Sequence, residues 1–110
     1  MKDAILQFLK EYGDGVSFAE LSRIKGFKGE FNFGYPEKNI YLWFNCSQSA
    51  VDALTELKDK DIIEFKPCDI LVYHADGLIQ KAPIAKQIRK YSKKRWLPAT
   101  LYKGQCFQQD

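Results

Sequence analysis

A chain of 110 residues with 45% hydrophobic and 15% aromatic side chains is sized for one small packed domain, and is too apolar for a disordered segment. No apolar run nears the roughly 18 residues that span a membrane, and MKDAILQFLKEYG, interrupted by Asp3, Lys10 and Glu11, does not read as a signal peptide. The formal charge of +3 conceals a division: residues 1–78 carry nine Lys/Arg against thirteen Asp/Glu, residues 79–110 eight Lys/Arg against one acid, Asp110.

Ala4, Ile5, Phe8, Leu9 and Tyr12 recur at helical spacing and predict a helix over 3–12, ended by Gly13-Asp14-Gly15. Ser17 and Glu20 fit a capping box opening a second helix, 18–25, with Phe18, Leu21 and Ile24 inward and Gly26 as its stop. GFKGEFNFGYPEKN, 26–39, reads as an ordered loop or an irregular hairpin, since linkers lack so many aromatics. Ile40–Phe44 predicts a strand. A third helix starts at Ser47 or Ser49, buries Ala50, Val51, Leu54 and Leu57, and runs to Lys60; Asp61 turns the chain in a left-handed conformation. Strands over 62–66 and 70–75 follow, with Asp76-Gly77 turning into a third over 78–81. Pro83 opens a fourth, basic helix with Ile84, Ile88 and Tyr91 as its stripe, and Trp96, Leu97, Leu101 and Tyr102 pack the tail back onto the body.

Helices 3–12, 18–25 and 47–60 with the hairpin 62–75 resemble a winged helix-turn-helix domain, the resemblance covering residues 3–81 and centred on VDALTELKDKDIIEF. Two features depart from the pattern. About twenty residues, including a strand, separate the second and third helices, and Asp61 stands where glycine is frequent. The resemblance implies an α+β winged-helix-like domain over 1–81, and the residue pattern beyond it adds a basic C-terminal helix and tail over 82–110 packed on the same domain. The resemblance also implies DNA binding, as a small regulator or accessory factor of bacterial or phage type.

In that role the outward N-terminal residues of the third helix approach base edges while basic neighbours hold phosphates. Gln48, Ser49 and Thr55 can read bases; Asp52, Glu56 and Asp59 on the same surface oppose a polyanion. Lys81, Lys86, Arg89, Lys90, Lys93, Lys94 and Arg95 form the candidate phosphate-binding set, with no acid among them. The alternative for this charge is a solvated face that offsets the acidic body of its own fold. Tyr91 and Trp96 interleave with the cations; they read first as core anchors, with stacking on single-stranded DNA or RNA as the other use.

Gly26-Phe27-Lys28-Gly29 matches the GxxG loop of KH domains, but EFNFGYPE is a poor helix to follow it. No GK[ST] accompanies the glycines, so they are not a phosphate loop. Cys46, Cys68 and Cys106 are odd in number and far apart, as reduced thiols are, and place the chain in the cytoplasm. Cys68 and His74 lack the spacing of a zinc site or a nucleophile pair, so no metal, no cofactor and no enzyme activity is expected. Double-stranded DNA is the expected partner. The alternative is a protein-docking module or inhibitor, in which the acidic third helix meets a basic partner, the basic arm engages an acidic protein, or the aromatic loop 27–44 forms a homodimer.

Overall fold

The computed structural model describes residues 1–76, 80 and 82–107. Its fold is α+β, with two three-stranded sheets around one aromatic core. The first helix, α1 (Lys2–Tyr12), buries Ile5 and Leu9 and closes where the Gly13 amide donates to the Leu9 carbonyl, Gly13 standing at φ +79°. A two-residue strand, β1 (Val16–Ser17), leads into α2 (Phe18–Leu21). The capping box is present: Ser17 Oγ accepts from the Glu20 amide at 3.1 Å, and Glu20 Oε1 accepts from the Ser17 amide at 3.1 Å. The α2 helix is shorter than its sequence pattern suggests. After Ser22 the amides of Arg23 and Ile24 reach only three residues back, a tightening that commonly ends a helix.

Residues 26–39 take the hairpin alternative. Strands β2 (Lys28–Tyr35) and β3 (Ile40–Cys46) pair antiparallel with shifts of register near Phe31, Phe33 and Gly34, and a 3-10 turn at Pro36–Lys38 with Asn39 left-handed joins them. Gly29 admits no side chain, because a Cβ there would lie 2.5 Å from the Ser47 Cα. The next helix, α3 (Gln48–Asp59), is capped by Ser47, whose Oγ accepts from the Ala50 amide, and it buries Ala50, Ala53, Leu54 and Leu57. Asp61 turns the chain at φ +58° as expected, and β4 (Ile63–Pro67) follows.

The expected strand over 70–75 is instead a helix, α4 (Leu71–Asp76). Asp69 Oδ1 accepts from the Leu71 amide at 2.9 Å, a local bond that starts a helical turn. Tyr73 is then wholly buried, its hydroxyl donating to the Ala99 carbonyl at 2.6 Å and accepting from the Phe18 amide at 3.0 Å. One inward aromatic with exposed neighbours suits a short helix, and tertiary packing overrides the β-rich composition of ILVYHA. The β4 partner is not this segment but β6 (Ala99–Lys103), paired antiparallel from Ile63↔Lys103 to Pro67↔Ala99. The sheet order is β1–β6–β4. The turn Asp76-Gly77 and most of the expected strand 78–81 lie outside the described residues.

The expected helix from Pro83 is absent. Residues 82–94 form an irregular loop, which ends in β5 (Arg95–Trp96), paired parallel to β3. A helix here would align Lys86, Lys90 and Lys94, and Arg89 with Lys93, at i,i+4, each such like-charge pair costing about 0.2–0.5 kcal/mol. The loop is closed instead by long-range bonds. Ile84 bridges Trp96, the Ala85 amide donates to the Trp96 carbonyl and the Trp96 amide donates to the Pro83 carbonyl, each of the two bonds 2.8 Å long.

The core lies between the sheets. The Phe18 ring stacks on Trp43 and Phe65 at 5.8 and 5.6 Å, and Tyr73 meets Trp96 edge-on at 5.2 Å. The Trp96 indole donates to the Leu42 carbonyl at 3.2 Å. No described helix is long and apolar enough to cross a membrane.

Candidate nucleic-acid interface

Tyr91 organises the basic loop. It is only 7% exposed and packs with Ile40 and Ala85 against Tyr35 and Leu97. Its amide donates to the Lys38 carbonyl at 3.0 Å and its carbonyl accepts from Asn39 Nδ2 at 2.9 Å; the Arg95 amide donates to the Asn39 carbonyl at 2.7 Å. The Tyr91 hydroxyl donates to the Gln87 carbonyl at 3.0 Å and accepts from the Gln87 amide at 3.2 Å. The hairpin tip at 36–39 thus holds the loop, an anchor that sequence reasoning missed. Its one local signal was Asn39, a residue that tolerates the left-handed turn found there at φ 57°.

Around this anchor Lys86, Arg89, Lys90, Lys93 and Lys94 are exposed and Arg95 is half-buried. Arg89 Cζ stands 4.4 Å and Arg95 Cζ 4.9 Å from the Tyr91 ring centroid, within cation–π range. Arg95 Nη1 also donates to the Ile84 carbonyl at 3.4 Å. Lys86, Arg89 and Arg95 line one shallow recess with Ile84, Gln87 and Tyr91. Lys94 belongs to a separate groove beside Glu30, Asn32 and Phe44, its Nζ 5.9 Å from the Tyr41 ring. Among the described residues the ion pairs are Lys2–Glu56, Lys58–Asp59, Lys60–Glu56 and Lys66–Glu64, so none involves residues 86–95. Lys81 of the expected set lies outside the described residues.

The α3 surface is different. Gln48, Ser49 and Thr55 are exposed, as base readers must be. However, Gln48 Nε2 donates to Asp52 Oδ1 at 2.7 Å, and Ser49 borders a depression shared with Asp52 and Glu56. Glu56 is hydrogen-bonded and paired to Lys2, which holds its carboxyl below and the Lys2 ammonium above their ordinary values. Lys58 Nζ lies 5.6 Å from the Tyr35 ring, so the C-terminal end of α3 faces the hairpin tip. Gln48 stands ten residues earlier, about 15 Å along the axis. No described hydrogen bond, ion pair or ring contact joins the α3 trio to the basic loop.

Tyr91 and Trp96 are core anchors, as their first reading has it, and the alternative use as stacking platforms is not met. Both are buried, and Arg89 and Arg95 lie against the Tyr91 ring, which leaves no open face for an unpaired base. The aromatic segment 27–44 is likewise mostly internal: Phe27 and Phe33 are buried and Phe31 is its only large apolar side chain counted as exposed among the described residues, at 51%. Burial pushes the Cys46 thiol up to about 12, and burial with the Asp69 charge pushes Cys68 upward, while Cys106 is exposed.

No protein-family model, no curated protein and no solved structure matches the chain. The functional reading therefore rests on the residues themselves.

Proposed function

We propose that this protein binds double-stranded DNA through its basic loop, with Lys86, Arg89, Lys90, Lys93, Lys94 and Arg95 holding backbone phosphates. The observation that carries the reading is six cations within ten residues, on a loop closed by backbone bonds, with no carboxylate among the described residues paired to any of them. Ordering the loop in advance reduces the entropy lost on binding. Phosphates then displace counterions, so affinity falls steeply with salt.

The fold supports a winged-helix reading in part. Helix, short strand, helix, helix and two further strands follow in that order, and β1 pairs with β6 beside β4. The β2–β3 hairpin is inserted between α2 and α3, and the chain makes a long excursion between β4 and β6 where a wing would be. Contact is assigned to the loop rather than to α3, because Gln48 is engaged by Asp52, and Asp52 and Asp59 repel phosphates from that surface. Binding is accordingly of the sequence-independent kind.

Fluorescence anisotropy with a labelled random duplex, across a range of salt, tests the reading. Replacing Arg89, Lys90, Lys93 and Lys94 with Ala flattens the slope of log affinity against log salt by about 3–4 if all four meet phosphates. Unchanged affinity and slope would sink the proposal. A protein-docking reading keeps one specific support, the exposed pair Leu71 and Val72 on α4; salt-insensitive or absent DNA binding would favour it.

A further inference from the structure

The recess at Tyr91 is more selective in shape than the rest of the loop. Three cationic side chains, Lys86, Arg89 and Arg95, converge on a volume of about 270 Å³, room for a tetrahedral oxyanion. Both guanidinium carbons lie within 5 Å of one ring centroid, and no described carboxylate is paired with either. The ring attracts each guanidinium. A doubly charged oxyanion in the recess is attracted by all three lining cations. Two parts of the site are tied down: Tyr91 by its hydroxyl and backbone bonds, and Arg95 by its bond to the Ile84 carbonyl. Gln87 also lines the recess. Base stacking is not available here, so the recess recognises charge and shape only.

We infer that this recess, formed by Lys86, Arg89 and Arg95 around Tyr91, is a seat for a phosphomonoester dianion, supplied by the terminal 5′-phosphate of a nucleic acid. This deepens the proposed function and rests on it for the source of the phosphate. An internal phosphodiester carries one charge and is flanked by sugar on both sides, whereas an end phosphate presents up to two charges and three free oxygens to the cations. The loop as a whole then holds the duplex, and the recess adds a preference for phosphorylated ends.

The test uses the full chain in two arms. In the first, inorganic phosphate is titrated while the arginine side-chain Nε–H signals are followed by NMR, with chloride at matched ionic strength as reference. Saturable shifts confined to Arg89 and Arg95 are expected. In the second, anisotropy compares one duplex carrying 5′-phosphates with the same duplex carrying 5′-hydroxyls. The phosphorylated form is expected to bind about five- to tenfold tighter, the size of one additional charge-assisted contact at a partly exposed site. Arg89→Gln and Lys86→Gln, both at exposed positions, should bring that ratio close to one. Lys93→Gln, outside the recess, should weaken both duplexes equally and keep the ratio.

Equal affinity for the two duplexes together with no arginine shift overturns the seat while leaving duplex binding, and so the proposed function, in place. Arginine shifts without an end-phosphate preference support the seat and make free phosphate its ligand, overturning the nucleic-acid end as the source. Arginine shifts in a protein that binds neither duplex support the seat and overturn the proposed function. A preference that survives Arg89→Gln and Lys86→Gln overturns the assignment to this recess.

Discussion

On α3 the charges are largely answered within the chain. Asp52 accepts from Gln48, Glu56 meets Lys2 and Lys60, and Asp59 lies near Lys58. On the 83–96 loop the cations have no such partners among the described residues; the backbone is tied down by Tyr91, Asn39 and the Ile84–Trp96 bridge, while the charges are exposed or line a recess. The difference separates two uses of charged residues. Paired charges at a helix surface tune the solubility and stability of the fold, each worth little. Unpaired like charges on an ordered loop carry a repulsion that an external anion relieves.

Breaking the loop should have the largest effect. Tyr91→Ala removes the buried ring and its bonds, and is expected to cost about 3–5 kcal/mol in chemical denaturation, the range for losing a large core aromatic. It should also abolish the salt-sensitive binding. Tyr91→Phe keeps the ring and loses only the hydroxyl bonds to Gln87, at about 1 kcal/mol, and should bind duplex nearly as the parent does. A large loss of affinity with that small loss of stability would mean that the hydroxyl itself meets the ligand.

The other half of the comparison is tested by neutralising α3. Asp52→Asn with Asp59→Asn changes the net charge by two, and duplex affinity is expected to rise by no more than about threefold through long-range repulsion alone. A rise well beyond that would place DNA against α3, and Gln48, Ser49 and Thr55 would return as base readers.

Thiol accessibility sharpens the packing without touching charge. Cys106 should react with a thiol reagent at once, Cys68 slowly, and Cys46 only as the protein unfolds, because its site disfavours the thiolate. Labelling of Cys46 under native conditions would contradict its complete burial at the end of β3.

The smallest effect belongs to Lys2–Glu56. Glu56 has a lowered carboxyl value in the folded state, so the pair stabilises above the ordinary carboxylate range and that contribution disappears as pH falls through the lowered value. Acid titration of the parent and of Lys2→Ala should show a small stability gap at neutral pH that closes in acid. A gap that widens on acidification would be inconsistent with this pair.

Local patterns in the sequence carried α1, the Ser17 capping box, α3 with its serine cap, and the left-handed Asp61, because each depends on neighbours within one or two turns. The segments that escaped were governed by distant partners. Leu71–Asp76 is a helix because Tyr73 reaches Phe18 and Ala99, and the 83–96 loop is irregular because Tyr91 is held by the hairpin tip. The candidate site divided in the same way. Composition identified the cations from Lys86 to Arg95, but only the folded chain brings Lys86, Arg89 and Arg95 to one recess and sets Lys94 in another groove.

The central claim, that the loop and not α3 meets the polyanion, is tested most directly by an NMR titration of the full chain with a short duplex at low salt. The account predicts backbone amide shifts over 84–95 and at the hairpin tip 36–39, with the amides of 48–59 nearly still. Shifts concentrated on 48–59, with the loop unmoved, would contradict it.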